Sequence, residues 1–337
     1  MMLSDDDALV HDALASFAEA HHRLGADFLF CNLAEYRDQS FLGSERNTVR
    51  CGPFSGKARV VSTDEFVRPL FAFRPSFNMH PSAFMFSAEL ADRIAQRNGR
   101  FFQTNGVEYF AWPPAAVLAR NIVHIDQPLV ILGRTAKSWG STVVLSNPGK
   151  EQIEKMINDV EHDRDWIPLT NFTLCNLIAE GLLLSQKLFP DLLGSYPFDE
   201  RRYLKATLTE LRRRKAIGVD VEREIQELLH YSDKYPALKK DLVRLAARPA
   251  TEPTSAWRTL ARALKLNLAY RRLKTLNQIR RIKRGEVKSG FAAAGSDFGF
   301  RDAAGCASFV SRVASGTNRK SEPIRLNEVA TPVTVEH

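Results

Sequence analysis

Three consecutive aspartates, Asp5, Asp6 and Asp7, stand in "MMLSDDDALV" ahead of a stretch with helical spacing. Two chemistries suit such a cluster. Ser4 or Asp5 could cap a helix, with acidic groups in the first turn favoured by the helix dipole. Alternatively, the carboxylates could hold a hard divalent cation, Mg²⁺ or Mn²⁺, whose preferred donors are oxygens. A single cap needs one side chain, and three adjacent like charges repel one another. A D-x-D pair at a strand end, just before a helix, would hold such a metal against a diphosphate.

The elements around the cluster must position it. Leu9, Ala13, Leu14, Phe17, Ala18 and Leu24 recur at helical spacing over 8–24, and Gly25 stops the run. "ADFLFCNL" (26–33) reads as a buried strand and "ARVVST" (58–63) as a short one, with an irregular Gly-rich segment at 41–57 between them. Helices are expected at 64–73, capped by Thr63, and at 88–98, capped by Ser87 and closed by Gly99. A short apolar stretch covers 83–86, and a loop from 99 feeds another helix. "IVHID" and "PLVILG" (122–133) read as two strands broken at Gln127 and Pro128. Helices and strands that alternate, with strands apolar on both faces, indicate an α/β fold with a mixed sheet over 1–146.

Beyond 147 the pattern is mainly helical, with helices at 149–162, 170–189, 198–215, 219–232 and 236–247. A linker and a basic helix occupy 248–285, and the aperiodic Gly/Ala/Ser-rich tail from 286 to 337 is expected to be disordered. Cys31, Cys51, Cys175 and Cys306 are scattered without C-x-x-C spacing, which argues against a zinc knuckle or disulfide scaffold. No apolar run approaches the ~18–20 residues that span a bilayer. The first charges are acidic, so the start does not read as a signal sequence. A reducing, cytoplasmic location follows as the expectation.

Several segments then fall in a telling order. The triplet with Ala-Leu and a helix comes first; "NMHPSAF" and "SAELADRI" follow, then "GRFF", then an acidic residue before Tyr109. After a further helix comes "IDQPLVILG" and a Ser-Gly loop. This set resembles the acceptor half of a family 2 glycosyltransferase of the GT-A fold, over about residues 3–145. Such enzymes carry "DDDAL" as a D-x-D metal motif, then "G-x-F-F-x-S-x-x-P-D-x-Y" and a strand pair ending in "G-x-S".

The resemblance implies roles residue by residue. Asp5 and Asp7 would be the ends of the D-x-D, with Asp7 the direct ligand of Mn²⁺ or Mg²⁺ and Asp6 facing the nucleotide ribose. Glu108 would be the general base that takes the acceptor hydroxyl's proton in an inverting transfer from a UDP-sugar or similar donor. The sequence reads "GVEY" where Pro-Asp is usual, so the carboxylate arm is one methylene longer. An exposed glutamate in a first helical turn is the plain alternative for Glu108. Arg134, Lys137 and Ser138, after "VILG", could meet the diphosphate or form a solvated hairpin loop. His80 could reach the metal or acceptor, or sit satisfied in a turn. Trp112 could line a sugar pocket or pack in the core, and His21–His22 reads as a charge pair at a helix C-terminus.

The net charge of +8 is local: Trp257–Arg284 carries ten Lys/Arg and no acid. Trp257, Leu260, Leu264, Leu268, Leu276 and Ile279 recur near helical spacing against those cations. That pattern fits an interfacial helix on an anionic membrane surface, at its inner face, or a helix packed on the protein itself. Nucleic acid is not the expected partner. A GT-A enzyme also needs a nucleotide-binding half of ~80–100 residues before its D-x-D. Only Met1–Ser4 precede it here, so the expectation is a chain shortened at its start. The sequence reading is thus an α/β, partial GT-A-like mixed sheet with flanking helices, followed by a mainly helical region. The implied reaction is glycosyl transfer to a hydroxyl on a glycan or lipid-linked acceptor in surface polysaccharide or glycolipid assembly. The rival is a non-catalytic, membrane-associated interaction protein in which the triplet is only a helix cap.

Overall fold

The computed structural model describes residues 1–41, 45–77, 79–102, 107–136, 169, 173–216, 218–248, 277–282 and 286–315. Its centre is two long neighbouring strands, β2 (Phe28–Arg37) and β6 (Ile122–Arg134), running parallel. Both are buried along most of their length, as an apolar run flanked by helices requires. Every other described strand, β1 (Ala8–Leu9), β3 (Thr48–Cys51), β4 (Ala58–Val61), β5 (Phe84–Phe86) and β7 (Phe291–Ala294), pairs antiparallel with its neighbour. The free edge of β6 is shared by β4 at its start and β1 at its end; that of β2 is shared by β5 and then β3, with β7 outermost. The fold is α/β with a mixed, open sheet.

The expected break at Gln127–Pro128 is instead a bulge inside one continuous strand. Register shifts there place Asn32 opposite Pro128 after Cys31 opposite Ile125. A proline lacks the ladder N–H, so a bulge is where a strand accommodates one. The Asp126 carboxylate fills the gap: it accepts Asn32 Nδ2 at 2.6 Å and the Ser55 amide at 2.9 Å. His124, two residues earlier, stacks on Phe30 with ring centroids 4.8 Å apart and lies 3.0 Å from Asn32 Oδ1. Around it Phe28, Phe30, Phe66 and Phe84 form a cluster of stacked, tilted and edge contacts in the sheet's core.

Helix α1 (Ala13–Leu24) ends at Gly25 in the left-handed region, φ 58°. Its Asp12 N-cap makes no side-chain capping bond, and the aspartate triplet lies in a turn well before it. Helix α2 (Thr63–Phe71) is capped by Ser62, not by Thr63: the Ser62 hydroxyl accepts the Glu65 amide. The Ser87 cap and Gly99 stop of α3 (Ala88–Asn98) match expectation. Helix α4 (Val107–Leu118) carries Trp112 into the core, 1% exposed with its ring centroid 4.3 Å from that of Phe84, so it packs in the core.

The helical region holds α5 (Leu174–Leu188), α6 (Glu200–Ala216), α7 (Glu222–Tyr231) and α8 (Pro236–Ala247). Leu204, Leu208, Leu211, Leu228 and Leu242 form its own core. Glu210 ties α5 in place by accepting the Leu174 and Cys175 amides at 2.8 and 3.0 Å, and it pairs with the buried Arg214 at 3.0 Å. Two orphan amides of a helix start are thereby satisfied from a neighbouring helix.

The tail corrects the expectation of disorder from 286. Residues 291–294 form β7 on the edge of β3, and α9 (Ala303–Ala314) packs Phe309 and Val310 into the main core. The backbone is fitted closely there, since a Cβ on Gly295 would lie 2.2 Å from the Phe300 carbonyl oxygen. The segment 41–57, expected to be irregular, supplies β3 as the strand that receives it. The expected helix at 149–162 and almost all of the basic helix at 256–284 fall outside the described residues. Among the described residues no helix is long and apolar enough to cross a membrane.

Candidate functional site

The aspartate triplet occupies a turn closed by the Asp7 amide bonding to the Ser4 carbonyl, immediately before β1. It is not a helix cap. The register of β1, with Ala8 opposite Ile131, runs the triplet past Leu132–Arg134 at the end of β6. The Gly133 amide donates to Asp7 Oδ1 at 3.0 Å. Asp7 Oδ2 accepts the Ser82 hydroxyl and, at 3.3 Å, the Ser4 amide. Glycine is needed at 133 because a Cβ there would lie 1.8 Å from the Asp6 carbonyl oxygen. Asp5 accepts the Ser4 hydroxyl at 3.3 Å and stays exposed.

Above this turn opens a cleft of about 1120 Å³. Asp5, Asp6, Asp7, Glu108, Arg134 and His80 all line it. Six positions spread over 130 residues of chain are thus brought to one place. Lys137 and Ser138 lie outside the described residues, although their neighbours Thr135 and Ala136 are on the wall.

Glu108 stands in the first turn of α4, as its position in the sequence suggests, but it is not exposed. It is partly buried and lines the cleft. Burial raises its pKa above the ordinary 4.5, against the lowering effect of its own backbone amide. Among the described residues no side chain pairs with its carboxylate. Tyr109, beside it, is likewise pushed up by burial and by the Glu108 charge.

His80 sits at the start of the turn that carries Ser82, and its Nδ1 is buried without a hydrogen-bond partner among the described residues. Burial lowers its pKa, with Asp7 opposing and Arg134 reinforcing the shift, so the ring is neutral near pH 7. Arg134 lies 3.9 Å from Glu35 through Nε, a loose pairing that leaves the guanidinium available to the cleft. His21 and His22 are remote, in the last turn of α1, where His21 Nδ1 lies 2.5 Å from the Ala26 carbonyl oxygen.

No motif or spacing marks the remaining lining residues. Asp38 and Ser40, just past the end of β2, and Asp302, Ala303 and Ala304, at the start of α9, complete the lining. Asp38 follows an "EYRD" strand end that has no motif character, and Asp302 lies in the tail expected to be unstructured.

A hard divalent ion takes about six oxygen ligands. Among the described residues no group of three His, Cys, Asp or Glu side chains is placed to hold a metal ion. Asp7 also spends both carboxylate oxygens on hydrogen bonds within the fold. These residues by themselves do not make a resident metal site. Comparison with protein-family models, with curated proteins and with solved structures returned no match to this chain.

Proposed function

We propose that the cleft serves inverting glycosyl transfer from a nucleoside diphosphate sugar, such as a UDP-sugar, to a hydroxyl acceptor, on a GT-A-like sheet. The observation that carries this reading is the convergence of Asp5–Asp7, Glu108 and Arg134 on one cleft. The resemblance predicts that convergence from the order of motifs alone.

In this reading the acceptor hydroxyl lies against Glu108. Its oxygen attacks the anomeric carbon as the proton passes to the Glu108 carboxylate, and the bond from that carbon to the diphosphate oxygen breaks on the opposite face. A partly buried carboxylate with a raised pKa is a better base than an exposed one, which is what the burial of Glu108 supplies. Arg134 offsets negative charge that builds on the departing diphosphate. The neutral His80 ring can donate or accept a single hydrogen bond without adding charge. Asp5 and Asp7 would be the residues to face a divalent cation brought in with a diphosphate, and such an ion would supply charge stabilisation to the leaving group.

The test is calorimetric titration of the protein with UDP and GDP in the presence of Mn²⁺, followed by a search for transfer activity. The reading expects nucleotide binding that weakens in Asp5→Asn. Glu108→Gln should retain the nucleotide and lose transfer by ~10²–10⁴-fold, the usual contribution of a general base. Absence of nucleotide binding with Mn²⁺ present would retire the reading in favour of a non-catalytic interaction protein.

A further inference from the structure

Many cations of the helical region are matched to an acid: Arg202 to Asp199, Arg214 to Glu210, Lys215 to Glu222, Lys234 to Glu200. One face departs from this. Lys205 on α6, with Lys240, Arg244 and Arg248 on and just past α8, are exposed and have no acid within ion-pair distance among the described residues. The two acids of α6, Glu200 and Glu210, are already engaged by Lys234 and Arg214, and α8 carries one acid, Asp241.

Two contacts set α6 and α8 side by side and running the same way. At one end the Arg201 guanidinium lies 5.4 Å from the centre of the Tyr235 ring, just before α8. At the other, Arg212 Nη2 donates to the Arg248 carbonyl oxygen at 3.4 Å. Leu204, Leu208, Leu238 and Leu242 are buried in the core that the two helices share. At 3.6 residues per turn, Arg201, Lys205 and Arg212 fall on one side of α6, and Lys240, Arg244 and Arg248 on one side of α8. The helix pair thus carries two basic stripes along its length with a single acid between them.

We propose that this α6–α8 face docks on an anionic phospholipid membrane, its cations set against the headgroup phosphates and carboxylates. Unpaired Lys and Arg side chains on one surface are attracted to such a leaflet, and the attraction adds up over the cations that reach it. Nucleic acid offers the same sign of charge, and two features favour lipid. Val243, 45% exposed, stands between Lys240 and Arg244 in the sequence of α8. Aliphatic surface beside cations is buried at the headgroup boundary of a bilayer, and a phosphate backbone has nothing to cover it. The sequence that continues from Arg248 adds to both properties: Trp257–Arg284 brings ten Lys/Arg and no acid, with Trp257, Leu260 and Leu264 among them.

The experiment is vesicle flotation of the full chain, comparing pure phosphatidylcholine with an equimolar mixture of phosphatidylcholine and phosphatidylserine. The chain should float with the anionic vesicles alone, and ~0.5 M NaCl should release it. Each cation removed should lower the partition coefficient about fivefold, so the triple variant Lys205→Gln, Lys240→Gln, Arg244→Gln should lose roughly a hundredfold. The charge-preserving variant Lys205→Arg, Lys240→Arg, Arg244→Lys should float as the parent does. Should the triple variant lose helix by circular dichroism, the three single variants take its place, each expected to lose about fivefold. Equal flotation with both vesicle types overturns the proposal. So does a folded triple variant that partitions like the parent, which would assign the binding to another part of the chain. Binding of duplex DNA or RNA that falls in the triple variant while vesicle binding does not would give the face to nucleic acid. None of these outcomes depends on nucleotide or on the transferase reading.

Discussion

The Asp7 carboxylate accepts the Gly133 amide at 3.0 Å, joining positions 126 residues apart and fixing the aspartate triplet to the end of β6. The same glycine touches the Asp6 backbone so closely that no side chain fits. Gly133→Ala should therefore push the triplet off the strand. A loss of about 1–3 kcal/mol is expected from forced backbone shifts of this kind. Urea denaturation measures it, and any nucleotide affinity should fall in the same variant. An unchanged midpoint would mean that the turn at 4–7 is held by something other than this contact.

Glu108 makes a prediction about pH with a definite sign. Its folded pKa lies above 4.5, so between 4.5 and that higher value the folded chain binds more protons than the unfolded one. Stability from this group is thus present below pH 4.5 and lost as pH rises through the folded pKa. Glu108→Gln should remove that loss, raising stability at neutral pH relative to the parent and leaving it nearly equal at pH 4. Urea midpoints across a pH series read this directly. A variant less stable than the parent at pH 7 would show that the carboxylate is paired and not merely partly buried.

Much of the scaffold was legible because its signals are local. Ser87 and Gly99 bracket α3 as capping chemistry dictates, and the apolar runs of β2 and β6 declare a doubly covered sheet. The cleft's first wall was legible through motif order, which carried Asp5–Asp7, Glu108 and Arg134. What stayed hidden depends on partners distant in sequence. Residues 291–294 read "FAAA", with no alternation and poor strand formers; they become a strand because β3 offers an open edge. β3 itself lies in a Gly-rich segment, and Pro128 looked like a terminator until the bulge at Asp126 gave it a site without a ladder bond. The lining residues Asp38 and Asp302 were missed for the same reason: only the docking of the tail brings Asp302 to the cleft that Asp38 also lines.

His124 bends the pH curve the other way. Burial between β2 and the aromatic cluster pushes its pKa down to about 4, from 6.5 when unfolded. Here the unfolded chain binds more protons between those values, so stability falls as pH drops from 6.5 towards 4. The difference corresponds to roughly 3 kcal/mol at most. His124→Gln, which keeps a donor towards Asn32 Oδ1, should flatten the acid limb of the stability curve. If the parent and the variant lose stability in parallel over that range, His124 is not the group responsible.

The C-terminal segment should behave as part of the sheet. Ending the chain at residue 290 removes β7 and α9, and with them Phe291, Phe300, Phe309 and Val310, each 5% exposed or less. Burying a side chain of that size is worth roughly 1.5–3 kcal/mol, and the cut would also uncover the edge of β3 and part of the Tyr36 ring. The expected outcome is a shortened protein that aggregates or melts without a cooperative transition. A cut at 316, just beyond α9, keeps all four of these side chains, so it should melt well above the chain ending at 290. Equal stability of the chains ending at 290 and 316 would place the tail outside the folding unit. It would also remove Asp302 from any role in the cleft.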